Sequence, residues 1–165
     1  MLNGIITLYT AYLAIVSLSA NVSLSELDKY NLGLNKGVEM TQEMIEEEEY
    51  YDSLENLAIC VEAEAGNQGL KGKQLVVDVI LNRVDSPMFP NDINSVIEQP
   101  SQFSVYSNGS MGKIYEPSEE TFEAINMELE HRTNNEVLYF RTGNYHSGMK
   151  KLFKHGNHYF SGKYQ

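Results

Sequence analysis

The sequence predicts an α+β domain, mostly helical, over about residues 53–165. Three observations carry that expectation. Leu54, Leu57, Ala58, Val61 and Ala65 recur at the spacing of one helix face, and residues 72–84, GKQLVVDVILNRV, are apolar on most sides. Ser118 followed by Glu119 and Glu120 opens a further helix, while only two short runs, EVLYF and NHYF, read as strands.

The chain's 165 residues suit one domain of ordinary size with a real core. Residues 5–20, IITLYTAYLAIVSLSA, form an uncharged apolar run, short for a membrane span and close to a signal h-region in length. Ser17 and Ser19 stand at cleavage-like spacing, yet no Lys or Arg precedes the run. Residues 1–20 are therefore expected to serve as a signal or membrane anchor, with an unusual cytoplasmic N-terminus as the alternative. Residues 21–52, with the glycines of LGLNKG and the run Glu46 to Glu49, read as an acidic linker or loosely held helix.

From Ser53, a good N-cap, the first helix of the domain is expected to end near Ala65, with Gly66 as its stop. Cys60 on this helix is the lone cysteine; it forms no disulfide framework and reads as a small packed hydrophobe. The next helix, residues 72–84, should be central and buried, although its β-branched residues leave a strand as a second choice. DSPMFPND reads as a loop, DINSVIEQ as a short helix, and PSQFSVYSNGSMG as an exposed loop or hairpin turning at Asn108-Gly109. The helix opened by Ser118 should run to His131.

Charge is unevenly distributed. The net charge is -11, but residues 141–165 contain Arg141, Lys150, Lys151, Lys154 and Lys163 and no acid. The overall balance argues against nucleic acid as a partner. The basic tail could face a polyanionic polymer such as a cell wall, or simply be solvated.

Glu62 and Glu64 end the first helix. At about 100° per residue they lie about 200° apart, so they do not form an acid and base pair. Each sits about 80° from the centre of the apolar stripe, at the edge of the buried face. Geometry does not choose between them, and context leans towards Glu64. It lies in the last turn, where the helix dipole disfavours a carboxylate, beside a glycine turn that an extended ligand could approach. A carboxyl group placed there should have a raised pKa, as a general acid requires. The bland alternative is a solvated helix end.

Residues 63–84, AEAGNQGLKGKQLVVDVILNRV, continued by FP, QPSQFS, LYF and GNHYF, together resemble the spore-cortex-lytic cell wall hydrolase family. The resemblance covers about residues 54–162. It implies a mostly helical, lysozyme-like fold and cleavage of peptidoglycan glycan strands, and it carries the family's catalytic glutamate onto Glu64. Glu62 falls on a position with no catalytic role there. Two departures stand out: Gln68 occupies a position where relatives often have a second acid, and Asp78 interrupts the apolar helix where they often have a small residue.

A hydrolase normally needs two carboxylates, whereas a lytic transglycosylase works with one, so Gln68 favours the latter. A two-carboxylate muramidase would need Glu116 or Glu62 brought close. Candidate substrate-binding residues are Gln102, Phe103, Tyr139, His146 and His158, although isolated phenylalanines beside apolar runs, such as Phe103 and Phe140, more often pack inward. Asn82 and Arg83 are read as braces at the central helix end, and Asp78 as structural. A zinc site from His146, His155, His158 and Glu64 is disfavoured by the surrounding lysines and the lack of a His-Glu-x-x-His motif, and no metal or cofactor is expected. A silent wall-binding module is a third reading. The implied partner is the glycan strand, met as a monomer outside the cell or in its envelope, with residues 5–20 available as a membrane tether; a cytoplasmic phage-type lysin is the alternative origin.

Overall fold

A computed structural model describes residues 42–100, 102–114 and 116–164, with side chains from residue 45. The expectations for residues 1–20 and for residues 21–41 lie outside the described residues. The unit that carries the site spans Ser53–Gln165, separate from the unit that ends at Asp52. Among the described residues no helix is long and apolar enough to cross a membrane.

Helix α1 runs Gln42–Ala65, so it starts eleven residues before the expected Ser53 cap. The reason is local: glutamates are good helix formers, and nothing between Glu46 and Asp52 breaks the helix. From Ser53 onwards its apolar stripe is buried as the spacing requires, with Leu57, Ala58, Cys60, Val61 and Ala65 fully covered. Gly66 ends the helix through a bond from its N–H to the Glu62 carbonyl (2.9 Å), and any side chain there would collide with that carbonyl at 2.6 Å.

Helix α2 (Gly69–Val84) is the core of the domain, with every residue from Gly72 to Arg83 buried. The β-branched residues therefore form a helix after all, because burial on every side outweighs the modest cost in propensity. α2 packs against α3 (Ile93–Ile97), α5 (Glu119–Glu130) and the sheet. Each fully covered aliphatic side chain along it, such as Ile80, contributes about 1.5–3 kcal/mol of hydrophobic stabilisation.

Between these, α3 is capped by Asp92, whose carboxylate accepts from Ser95 N–H at 2.7 Å. The expected loop or hairpin over residues 100–112 contains a one-turn helix α4 (Ser104–Ser107), the predicted turn at Asn108-Gly109 and a 3-10 turn at Met111–Lys113, with no strand pairing among its described residues. Phe103 and Val105 pull this segment onto the core, so its backbone coils rather than pairs.

Three strands follow, β1 (Tyr139–Thr142), β2 (Met149–His155) and β3 (His158–Tyr164), in the order β1-β3-β2 with both pairings antiparallel. β2 is absent from the expectation because its lysines read as a solvated tail. Lys150, Lys151 and Lys154 are exposed, while Leu152 and Phe153 lean inward against Phe160 and the α2 residues Leu75 and Val79. The β2–β3 turn is held by Gln68, whose Oε1 accepts from Asn157 N–H at 3.2 Å and occupies the space that a side chain at Gly156 (φ +52) would need. Position 68 is therefore a turn anchor.

Candidate active site

Glu64 lies at the bottom of an open cleft of about 550 Å³ whose walls come from the end of α2, the 88–104 segment, β1, the β1–β2 loop and β3. Its side chain is partly buried, and Oε1 accepts from Val105 N–H at 3.4 Å. Burial pushes its carboxyl above the ordinary glutamate value, against opposing bonds from Val105 and Ser104. That is the state a general acid needs.

Glu62 has a different environment. Its Oε2 accepts from Ser118 N–H at 3.1 Å, Ser118 Oγ at 2.8 Å and Thr121 Oγ, and it pairs with the buried ammonium of Lys73 at 3.3 Å. Burial raises its pKa, but the bonds from Thr121 and Ser118 outweigh it and hold the carboxyl below the usual range. The Ser118 side chain, read as an N-cap, makes no capping bond of its own; Glu62 ties down that end of α5 from outside. Glu62 is therefore neither a solvated helix end nor a second carboxylate for the cleft.

Of the expected substrate-binding residues, Gln102, Tyr139, His146 and His158 all line the cleft with Glu64. Phe103 does not. It is 1 % exposed, lying under the Arg83 guanidinium (5.2 Å) and against Phe140 (6.1 Å), so it has no free ring face to offer a sugar. Phe140 both borders the cleft and packs on Phe160, which reconciles its two readings. His158 is buried against the Phe140 ring at 4.8 Å, and burial, followed by the nearby His155, lowers its pKa. It is a neutral hydrogen-bonding group at neutral pH.

Arg83 braces as expected through Nε, which donates to Leu138 O at 2.8 Å. It also forms part of the cleft wall, its guanidinium stacked over Phe89 (5.0 Å) and Tyr139 (5.2 Å). Burial lowers its pKa to about 10, so it stays cationic. Asn82 braces as expected, donating to Asn134 O and Val137 O at 2.7 and 2.8 Å. Phe89 and Ser104, which fall within the FP and QPSQFS motifs without being named as site residues, also line the cleft, as do Arg141 and Thr142, which lie outside every motif. The alternation Tyr139-Phe140-Arg141 in a strand beside the site is the signal that could have found Arg141.

Asp78 is fully buried and lies against Glu128, with Thr133 Oγ within 3.2 Å of the one and 2.9 Å of the other. Burial, reinforced by Glu128, raises its pKa to about 8. It is a structural acid outside the cleft. Among the described residues no three His, Cys, Asp or Glu side chains gather as a metal-ligand set.

The profile of the Cell Wall Hydrolase family matches residues 67–161, more than half of the chain and most of the cleft wall above Glu64. This protein is a member of the cell wall hydrolase family. Within that family it is 39 % identical over 70 residues to a spore cortex-lytic enzyme of Bacillus subtilis and 31 % identical over 74 residues to one of Oceanobacillus iheyensis. These matches cover 42 % and 45 % of the chain but only 22 % and 26 % of those relatives, which are much longer proteins. The catalytic domain of the germination-specific lytic transglycosylase SleB from Bacillus anthracis superposes with a TM-score of 0.57 at 27 % identity, covering 66 % of this chain and 93 % of that one. The SleB catalytic domain of Bacillus cereus gives 0.58 at 27 % identity, covering 66 % and 88 %. The cell wall hydrolase fold of this chain is thus the α+β, mostly helical, lysozyme-like one.

Proposed function

We propose that this domain cleaves the glycan strand of peptidoglycan as a lytic transglycosylase, with Glu64 acting alone as acid and then base. One observation carries this reading: among the described residues lining the cleft, Glu64 is the only carboxylic acid. Glu62 is committed to α5, and Glu116 is exposed and outside the cleft. The similarity to relatives named as spore cortex-lytic enzymes and lytic transglycosylases supports the substrate class.

The chemistry follows from a single carboxyl group. Protonated Glu64 donates to the glycosidic oxygen as the C1–O bond of the muramic acid residue breaks, and the leaving sugar departs as an alcohol. The resulting carboxylate faces a cationic sugar ring. It then takes the proton from that sugar's C6 hydroxyl, O6 attacks C1, and a 1,6-anhydro ring closes without water. The proton balance returns Glu64 to its starting state. Tyr139 and Phe89 offer ring surface to sugar faces, and Gln102 and His158 offer hydrogen bonds to hydroxyl and N-acetyl groups.

The work is done outside the membrane, on spore cortex or vegetative wall. Replacing Glu64 by Gln tests the assignment. Loss of lysis with folding and wall binding intact is expected; unchanged lysis contradicts it, and lysis by neither form with binding retained points to a silent wall-binding module.

A further inference from the structure

The face of the sheet beside the cleft bears a row of cations and tyrosines. Arg141 and Lys154 each stand directly opposite Tyr159 in register, one from β1 and one from β2, so the three side chains share one face. Lys154 Nζ lies 5.1 Å from the centre of the Tyr159 ring. The β1–β2 loop folds back over the same face, setting Tyr145 edge-on to Tyr159 at 5.0 Å with Lys151 5.7 Å from the Tyr145 ring. Among the described residues no carboxylate lies within 4.0 Å of Arg141, Lys151 or Lys154, in contrast to Lys150, which pairs with Glu136 at 3.0 Å. A local cationic surface without acids is notable on a chain of net charge -11.

This face is continuous with the catalytic cleft. A second hollow of about 600 Å³, bordered by Tyr145 and Lys151, shares His146 and Met149 with the cleft, and Arg141 borders the cleft itself. A polymer bound across Glu64 can therefore run on to Lys151 and Lys154.

We infer that the Arg141–Tyr159–Lys154 row, with Lys151, is an accessory binding surface for the carboxylates of the peptide side arms on the glycan strand that occupies the cleft. The inference rests on the glycan reading of the cleft and adds what that reading lacks, a contact to the peptide part of the polymer. Charge decides the occupant. A glycan stripped of its peptides keeps only the lactyl carboxylate of each muramic acid, held close to the sugar ring, whereas the peptide arms carry carboxylates outward from the strand, which suits cations set along a surface beside the cleft. The tyrosine rings lie beside the lysine ammonium groups, which places both on the surface offered to the polymer.

The test is sedimentation of full-length protein carrying Glu64→Gln, so that nothing is cleaved, with peptidoglycan freed of wall teichoic acid. One portion keeps its peptides and the other is stripped of them by an amidase. Charge reversal at two residues outside the cleft, Lys151→Glu with Lys154→Glu, should weaken binding to the peptide-bearing material roughly tenfold and leave stripped glycan unaffected. The Lys151→Arg, Lys154→Arg protein should bind like its parent, which separates lost charge from lost folding. Equal binding by the reversed protein, equal loss on both materials, failure of the arginine variant, or a loss seen only when teichoic acid is left in place each overturns the inference. Lysis by Glu64→Gln sinks the catalytic reading instead, and does so without touching the comparison of charge variants.

Discussion

Glu62 and Glu64, two residues apart on α1, face opposite surroundings: Glu62 accepts from Ser118 and Thr121 and pairs with Lys73, whereas Glu64 points into the cleft and accepts from Val105 N–H. The first environment favours the charged form and the second disfavours it. One helix end thus carries a clamp and an acid.

Removing the clamp should be costly. Lys73 is 1 % exposed, and Glu62→Ala leaves its ammonium with the more exposed Glu120 as its remaining ionic partner while freeing the Ser118 N–H. A loss of about 1–3 kcal/mol, the cost of leaving buried donors unpaired, is expected in denaturant unfolding. Because the Glu62 pKa is lowered by folding, its contribution is present above the ordinary carboxylate range and is lost as pH falls through it. A cost below about 0.5 kcal/mol, the size of an ordinary surface change, contradicts the clamp.

Asp78 predicts the opposite slope. Its folded pKa is raised from 3.8 to about 8, so the stabilisation is complete below the ordinary aspartate value and is lost as pH rises towards 8. Asp78→Asn keeps a donor facing Glu128 and removes that slope. Measured against the Asn variant from pH 4 to pH 8, the native protein should lose at least about 1 kcal/mol of relative stability, since a tenfold difference in proton affinity between folded and unfolded chain corresponds to about 1.4 kcal/mol. Parallel curves contradict the raised pKa of Asp78.

Much of the fold could be read from periodicity. The stripe of α1, the buried α2 and the opening of α5 all follow from spacing, because burial of one face repeats with the helix. What spacing misses has physical reasons. β2 hides behind its exposed lysines while Leu152 and Phe153 pack inward through an irregular register, and residues 104–107 coil because Phe103 and Val105 anchor them on the core. In the site, helical geometry separates the two glutamates, but only the fold brings Arg83 and Phe89, at and just after the end of α2, to the same cleft as Arg141 on β1. Phe103 packs inward, the reading that an isolated phenylalanine beside an apolar run favours, and does not line the cleft.

Gln68 gives a further prediction. Its carbonyl oxygen holds the β2–β3 turn, and the residue is not part of the cleft lining. A glutamate at that position keeps the acceptor, so Gln68→Glu should change stability by only about 0.5 kcal/mol and leave product chemistry untouched. Water-derived reducing ends appearing in this variant would show that position 68 reaches the reacting sugar.

The raised pKa of Glu64 sets the direction of the pH profile. The acid must carry its proton to start the reaction, so kcat/KM should fall as pH rises through a value above that of an ordinary glutamate. A rate that instead rises from acid to neutral pH contradicts Glu64 as the proton donor.

A single carboxylic acid among the described residues lining the cleft leaves its mark on the products. Mass spectrometry of the fragments released from purified peptidoglycan by the full chain should find 1,6-anhydro-muramic ends, lighter by one water than reducing ends, and none of them after Glu64→Gln. Reducing ends as the main product would mean that a second group activates water at this site, and would contradict the one-carboxylate account.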